Sequence, residues 1–488
     1  MWLSLLFALS LASPSLTPAE GPQDLSPAAT RAIEQALDKL AAQPVFEKLE
    51  VGASVRCVGK GAALARNGAR MANPASGAKL LSTAAALVLL GPDQRFITRL
   101  DGALSKDGTL SQGTLIAGGD PGLELADLAR LADLTKTAGV KVITGDLTID
   151  LSHFAGSTTA PAYDQKNTDA AYRPEVTPFA VGSAAINVTV NPGKKVGDPV
   201  EVSVSPSSAA VRVESSAKTL EGKRLDKLVI EAKASSGGTR IVVTGGLGVS
   251  AKPQGTRKRV YGASLMAADL FVRQLGSAGI GFKGEIRLLG ASDVNMKTPG
   301  ADDEIVREIA RIESRPLSEL VATINQTSNN FMAEVAFKQL GGKDGPGTGE
   351  ASWERAVEAT TRALRGLGLA EASFQIVNGS GLYDATKVTP DGMTALLVAM
   401  SGDDVRHVAF RDSLAVSGQS GTLRHRLKSL GGRVRGKTGT LDNALTLSGY
   451  LDRADCRLAF AVMVNGSIGK DGGKVVKAID AFVSTIGK

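Results

Sequence analysis

A serine and a lysine three residues apart, Ser76 and Lys79, lie where a long apolar run begins. The run, residues 80–90, predicts a buried helix, and a spacing of three places hydroxyl and amine on one helical face. The start of a helix also supplies unpaired N–H groups and the positive end of its dipole beside the serine. Because burial lowers the pKa of an ammonium group, Lys79 can become the base that takes the hydroxyl proton. The pair therefore indicates chemistry through a nucleophilic serine.

Two further motifs follow in the order that a penicillin-recognising serine acyltransferase requires. They are Ser328-Asn329-Asn330, at a turn between helical segments within residues 317–340, and Lys437-Thr438-Gly439-Thr440, on a strand. A glycine in the strand lets a substrate backbone approach closely. Each motif is common alone, but the ordered set of three favours a catalytic site.

Each motif also has a purely structural interpretation. Ser76 could be a helix cap and Lys79 a first-turn lysine with its amine in solvent. Ser328-Asn329-Asn330 could be a simple turn, and Lys437-Thr438 the end of a strand. The joint occurrence of the motifs weighs against all of these readings.

Other catalytic classes fit poorly. Residues 431–438 satisfy the phosphate-loop pattern, but bulky side chains inside the loop and an alternating strand after it exclude that fold. A Ser-His-Asp hydrolase lacks its Gly-x-Ser-x-Gly turn. The three histidines and two cysteines show no metal-ligand spacing, so we expect no metal and no organic cofactor.

The elements around the motifs predict an α/β or α+β fold with a mostly antiparallel sheet between helices. Strands are expected at 433–437, 444–451 and 457–465, and helices at 24–46, 352–367 and 474–486. The pattern changes between the first two motifs. We expect an outer domain from 24–92 and 305–488, an inserted domain from 93–165 and 251–304, and a nested β-rich domain from 166–250.

Composition describes an ordinary globular protein, with 488 residues, 43% hydrophobic and 22% charged. Aromatic residues make up only 4%, and the net charge of +7 is scattered, which argues against a nucleic-acid partner. An apolar stretch at residues 2–11 predicts a signal peptide over about 1–19, cleaved after Ala12 or Ala19. We therefore expect an exported protein, periplasmic or otherwise extracytoplasmic, with no transmembrane segment after signal removal.

The two cysteines, Cys57 and Cys456, end one expected strand and begin another. If these strands pair antiparallel, the two side chains lie close enough for a disulfide. Two free, buried thiols are the alternative, and the sequence does not choose between them.

Taken with further segments, the motifs make the chain resemble the low-molecular-mass class C penicillin-binding proteins, which are D-alanyl-D-alanine carboxypeptidases and endopeptidases. The second motif begins 252 residues after Ser76, an interval similar to that family's, in which it holds two inserted domains. The resemblance implies a transpeptidase or β-lactamase-like outer domain. The matching segments are residues 73–76, 118–121, 143–147, 378–382, 421–423 and 436–441.

The resemblance implies four catalytic residues. Ser76 attacks the carbonyl of the penultimate D-alanine, and Lys79 is the base. Ser328 relays a proton to the leaving amine, while Asn330 orients Lys79 and donates to the substrate amide. The oxyanion is expected to bind the N–H groups of Ser76 and Thr440.

Substrate binding is expected at the third motif. Lys437, with Thr438, Gly439 and Thr440, is expected to hold the terminal carboxylate. Asp150 matches a family carboxylate that meets a cationic substrate side chain, although a strand-end aspartate is also a common turn former. Residues 163–167 replace a tryptophan-rich family segment, which affects side-chain preference rather than the reaction.

The sequence thus predicts a serine-type DD-peptidase that hydrolyses peptidoglycan stem peptides or cross-links and is acylated by β-lactams. Its expected partners are peptidoglycan peptides and β-lactam antibiotics, with oligomeric state left open. A serine β-lactamase or esterase using the same site is the nearest alternative. A catalytically inactive glycan-binding relative is a third, disfavoured by the intact motifs.

Overall fold

A computed structural model describes residues 25–59, 61–290 and 306–488. Ten α-helices lie within these ranges: α1 (Pro27–Ala41), α2 (Ala78–Leu90), α3 (Leu125–Thr137), α4 (Ala263–Ser277), α5 (Leu317–Thr327), α6 (Asn330–Lys338), α7 (Trp353–Gly366), α8 (Pro390–Ala399), α9 (Val405–Asp412) and α10 (Gly472–Ile486). The expected signal peptide lies outside the described residues. Within them, no helix is long and apolar enough to cross a membrane.

The strands in the same ranges are β1 (Glu50–Cys57), β2 (Leu64–Arg66), β3 (Ile97–Leu104), β4 (Thr109–Ala117), β5 (Val142–Ile143), β6 (Leu147–Asp150), β7 (Ala185–Asn191), β8 (Glu201–Ser205), β9 (Val211–Ser215), β10 (Lys218–Leu220), β11 (Leu225–Ser235), β12 (Gly238–Gly248), β13 (Gln254–Arg259), β14 (Gly281–Phe282), β15 (Ile286–Leu289), β16 (Arg307–Glu313), β17 (Phe374–Gln375), β18 (Lys387–Val388), β19 (Ala415–Val416), β20 (Val434–Leu441), β21 (Ala444–Asp452) and β22 (Arg457–Asn465).

The outer part of the molecule is built on a six-stranded antiparallel sheet in the order β19-β20-β21-β22-β1-β2. Its central strands are buried on both faces because helices cover each side. Along β22, Phe460 and Val462 face the core formed with α1 and α10, while Ala459 and Ala461 face the core that includes α8. Ala459 and Ala461 on that second face let α8 pack closely against β22. The predicted antiparallel sheet between helices is confirmed.

A second sheet of seven strands runs β14-β5-β4-β3-β16, with β6 pairing to β4 and β15 to β6. Its final strand, β16, pairs antiparallel with β3. A boundary at residue 305 would assign β16 to the outer domain, whereas its hydrogen bonds place it in this second sheet. The outer sheet resumes much later in the chain, at β19.

The β-rich region contains two smaller sheets. One has the order β13-β7-β8, and the other joins β10, β12 and β11, with β9 also paired to β12. Strand β13 lies beyond the expected limit of 166–250, yet it pairs along its whole length with β7. By strand pairing, β13 therefore belongs to the same sheet as β7 and β8, and the three-domain division with its limits stays a prediction.

The predicted helical stretch at 317–340 is two helices rather than one. Helix α5 ends at Thr327, the next residue, Ser328, has a φ of 59°, and α6 begins at Asn330. The left-handed conformation of Ser328 breaks the helix. The second motif therefore occupies a sharp corner.

Cys57 and Cys456 form a disulfide, with Cα atoms 6.0 Å apart. Strands β1 and β22 pair antiparallel, and Cys57 lies opposite Leu458, close to the start of β22. Of the two alternatives that the sequence left open, the structure has the disulfide.

Candidate active site

The turn that carries Ser76 is held in a strained backbone conformation. Ala75 has a φ of 46°, and its N–H donates to Asn73 Oδ1 at 2.8 Å. Asn73 also exchanges hydrogen bonds with Asn465 at the end of β22, at 2.7 and 3.0 Å. A non-glycine residue with positive φ persists only where its surroundings enforce it. These asparagine contacts therefore fix the serine against the sheet.

Lys79 lies one turn beyond Ser76, near the start of α2, and is fully buried. Its Nζ donates to Ser76 Oγ at 3.0 Å, to Asn330 Oδ1 at 2.7 Å and to the Ser380 carbonyl at 2.8 Å. Burial lowers the pKa of Lys79 to about 7, although the carboxylate of Glu334 acts in the opposite direction. A large fraction of this amine is thus neutral near pH 7, when it can accept the serine proton.

The second motif uses its two asparagines differently. Asn329 caps α6, where its Oδ1 accepts from the Met332 N–H at 3.1 Å. Asn330 accepts from Lys79 and donates through Nδ2 to the Tyr172 carbonyl at 2.8 Å. An amide nitrogen carries two hydrogens, so this contact uses only one of them. The expected orientation of Lys79 by Asn330 agrees with this geometry.

Lys437, on β20, is the second fully buried lysine. Its Nζ donates to Ser328 Oγ at 2.9 Å and to the Thr438 carbonyl at 2.8 Å. Burial, and secondarily the charge of Lys79, hold the pKa of Lys437 well below its usual value. The three motifs therefore meet in one place, where two buried lysines both have a lowered pKa.

Gly439 is required by packing inside the protein, which its sequence context did not predict. A Cβ at this position would lie 2.2 Å from Thr446 Oγ1 and 2.4 Å from the Pro74 carbonyl. The close approach that requires glycine is made by the turn preceding Ser76, rather than by a substrate backbone. Thr440 points the other way and is exposed.

These residues open into a cleft of about 690 Å³. The inserted segments supply part of its wall, and Lys166 pairs across it with Asp442 at 2.8 Å. Residues 163–167, which depart from the family pattern, therefore do reach the site. Among the residues lining the cleft are Ser76, Lys166, Tyr172, Ser328, Asn330 and Thr440.

The sequence profile of the D-Ala-D-Ala carboxypeptidase 3 (S13) family matches residues 33–486. The chain belongs to this family. The predicted resemblance is thereby confirmed over almost the whole described length. Among relatives, a D-alanyl-D-alanine carboxypeptidase of Actinomadura sp. (strain R39) is 29% identical over 474 residues, which cover 94% of this chain and 84% of that protein.

Two solved structures have a similar fold. Penicillin-binding protein 4 (DacB) from Haemophilus influenzae superposes with a TM-score of 0.78 at 21% identity, covering 94% of this chain and 99% of that one. The penicillin G-acylated endopeptidase Bd3459 from Bdellovibrio bacteriovorus gives a TM-score of 0.52 at 15% identity, covering 90% and 92%. The penicillin-binding-protein fold that the resemblance implied is thus confirmed.

Glu334 is a site residue of this S13 chain that sequence reasoning missed. It lies on α6, one turn after Asn330, and is fully buried. Its carboxylate accepts from the Gly379 N–H at 3.0 Å and the Ser380 N–H at 2.8 Å. Burial raises the pKa of Glu334, while these donors and Lys79 act to lower it. A lone glutamate within the apolar run of residues 331–337 was the available signal.

Tyr163 ties the inserted part to this carboxylate. Its hydroxyl lies 3.0 Å from Ser380 Oγ and 3.3 Å from Glu334 Oε1, and the ring is fully buried. Burial raises the pKa of Tyr163 well above its usual value. The phenol therefore stays protonated and acts as a hydrogen-bond donor.

Asp150 is not brought to the cleft with the other expected residues. It ends β6, and its carboxylate accepts from the Ser152 N–H at 2.9 Å, as in a turn. Its role in binding a substrate side chain stays a prediction. Within residues 25–59, 61–290 and 306–488, no group of three or more metal-ligating side chains is found.

Proposed function

We propose that this S13-family protein is a serine-type D-alanyl-D-alanine carboxypeptidase or endopeptidase that forms an acyl-enzyme on Ser76. The hydrogen bond of 3.0 Å between buried Lys79 and Ser76 carries the proposal. The carboxypeptidase from Actinomadura is similar in sequence to this protein over most of both chains. This similarity supports the proposal that the substrates are peptidoglycan stem peptides or their cross-links.

Acylation begins with a proton transfer. Neutral Lys79 takes the hydroxyl proton of Ser76 as Oγ bonds to the carbonyl carbon of the penultimate D-alanine. Protonated Lys79 then passes this proton through the Ser328 hydroxyl to the departing nitrogen, and the C–N bond breaks. Ser328 is suited to this relay because it lines the same cleft as Ser76 and its Oγ accepts a hydrogen bond from Lys437 Nζ.

The substrate carboxylate is assigned to Lys437 with the hydroxyls of Thr438 and Thr440. A carboxylate beside Lys437 restores the ammonium charge that burial disfavours, because opposite charges stabilise each other strongly in a poorly solvated site. The N–H groups of Ser76 and Thr440 are the proposed donors to the tetrahedral oxyanion, an effect worth about 3–4 kcal/mol when one donor is lost elsewhere. Water then hydrolyses the ester.

β-Lactams should acylate the same serine. The bound state of Bd3459, a penicillin G-acylated endopeptidase of similar fold, supports this expectation. We further propose export of the chain, with residues 1–19 as signal peptide, because the expected substrates lie outside the cytoplasm.

Labelling with fluorescent penicillin tests the proposal. Wild type and Ser76→Ala are compared over time, with Ser277→Ala, an exposed serine on α4, as the matched control. We expect stable labelling of wild type and control, none of Ser76→Ala, and release of D-alanine or cleavage of a cross-linked peptide only where labelling occurs. Rapid loss of label with penicillin turnover would instead favour a β-lactamase, and no labelling would refute the mechanism.

A further inference from the structure

A second cavity adjoins the catalytic cleft at the second motif. Its volume is about 510 Å³, and it shares Tyr172, Ser328 and Asn330 with the cleft. Beyond these shared residues, its wall includes Ser183 and Arg257 from the inserted part. The site is thus a groove with two arms that meet at Ser328.

The second arm is held in place by specific contacts. Asn329 Nδ2 donates to Ser183 Oγ at 2.8 Å, and Asn330 Nδ2 donates to the Tyr172 carbonyl. Arg257 Nη2 donates to the Gly182 carbonyl at 2.7 Å. Neighbouring amides of one motif therefore fix two separate inserted segments around the cavity.

The two arms differ in which part of a substrate they can receive. Lys437 bonds to Ser328, so a carboxylate-bearing leaving residue held by Lys437 lies at the junction. The first arm extends past Thr440 to Asp442 and can hold the acyl side of the peptide. The second arm lies beyond Ser328, on the leaving side.

The size of the second arm exceeds what a terminal D-alanine needs, because its side chain is a single methyl group. In a peptide cross-link the leaving amine belongs to the side chain of a residue in a second stem peptide. The leaving group is then an entire peptide, which requires a cavity of this scale.

The charge of the second arm favours an anionic occupant. Arg257, which lies on β13 and is exposed, is the one ionised side chain among the described residues lining it. Burial raises the pKa of Glu124, and the charge of Arg257 acts in the opposite direction. Within the part of the chain that the structure describes, no carboxylate lines the cavity itself.

We propose that this cavity is a leaving-side subsite that receives the second stem peptide of a cross-linked substrate, with a carboxylate of that peptide near Arg257. The proposal rests on the assignment of Ser76 and Lys437 made above. The bond that breaks is still the C–N bond of the acylated D-alanine, and the proton still passes to the departing nitrogen. Arg257 is a specificity residue that favours cross-link cleavage over release of a single D-alanine.

The test compares two substrates and two reactions. Wild type, Arg257→Glu and Ala171→Phe are assayed on a purified cross-linked dimer and on a monomer ending in D-Ala-D-Ala. Penicillin acylation is followed in parallel. Ala171 lines the cavity, and Ala171→Phe fills it without changing charge. Arg212→Glu, at an exposed arginine on β9 outside the cavity, is the matched control for the charge reversal.

We expect both cavity variants to lower kcat/KM for the dimer about tenfold or more, largely through KM for Arg257→Glu. Monomer hydrolysis and penicillin acylation should stay within about twofold of wild type. Equal losses on both substrates, no loss on either, or a wild type that cleaves only the monomer would overturn the subsite. Failure of the serine mechanism is recognised separately, by unlabelled wild type or by activity retained in Ser76→Ala.

Discussion

The ammonium of Lys79 donates to the carbonyl oxygen of Ser380 at 2.8 Å, so the proposed base depends on the position of a loop more than 300 residues away. Glu334 holds that loop in place, since the Ser380 N–H donates a hydrogen bond to its carboxylate. Lys79 and Glu334 are thus linked through the backbone of a single residue, Ser380, and the carboxylate acts on both the placement of the base and its pKa.

Glu334→Gln should separate these two effects. The amide keeps the shape but loses the charge and places an NH₂ group against backbone donors, which leaves a buried mismatch costing about 1–3 kcal/mol of stability. We expect penicillin acylation to slow at least tenfold. Because Glu334 raises the pKa of Lys79, its loss should move the acid limb of the pH–rate profile to lower pH.

The matched control for this variant is Glu358→Gln, on the exposed face of α7. It should leave both stability and the pH profile unchanged. An unshifted acid limb in a folded Glu334→Gln protein would show that the carboxylate acts on position alone.

The pH dependence of acylation should reflect Lys79 itself. Its pKa lies near 7, and only the neutral amine accepts a proton, so the rate should rise as pH increases through about 7. Lys79→Ala should reduce acylation by about 10²–10⁴-fold, the usual range for loss of general base catalysis. Stopped-flow measurement of penicillin acylation between pH 5 and 9 checks both outcomes; a flat profile in wild type would contradict them.

The sequence was most informative where motif spacing coincided with regular periodicity. Ser76 and Lys79 were placed correctly because a helix puts residues i and i+3 on one face, and the antiparallel strands followed from their apolar runs. The pairing of β16 with β3 could not be predicted, because partners more than 200 residues apart leave no local signal in the sequence.

Tertiary contacts outside the motifs could not be predicted from the sequence in the same way. Glu334 acts through backbone N–H groups of Gly379 and Ser380, and backbone donors have no side-chain signature. The subsite beside Ser183 and Arg257 combines residues from segments that meet only after folding.

Gly439→Ala should disrupt the site without touching a catalytic group. The added methyl would overlap Thr446 Oγ1 and the Pro74 carbonyl, and the backbone carbonyl cannot move without displacing the turn before Ser76. We expect a loss of stability of about 1–3 kcal/mol, typical of overpacking, and acylation slowed at least tenfold.

Gly473→Ala provides the control for that substitution. A Cβ at Gly473, on α10, meets nothing within 4 Å, so stability should be unchanged or slightly higher. Thermal unfolding and penicillin labelling measured on both variants check the comparison. Normal acylation by Gly439→Ala would mean that the serine turn tolerates displacement.

The disulfide between Cys57 and Cys456 joins positions 399 residues apart. It links the end of β1 to the residue before β22 and so closes a very long loop of the chain. Because such a link mainly restricts the unfolded chain, its loss should act mainly by increasing the conformational entropy of the unfolded state. The double variant Cys57→Ser with Cys456→Ser should unfold at lower denaturant concentration, with a loss of about 2–4 kcal/mol. Since β1 and β22 remain paired over eight residues, the catalytic turn should keep its position and acylation at 25 °C should be unchanged. Urea unfolding in oxidising and reducing buffer provides the measurement: reduction should shift only the wild type, and an equal shift in the double variant would point to another cause.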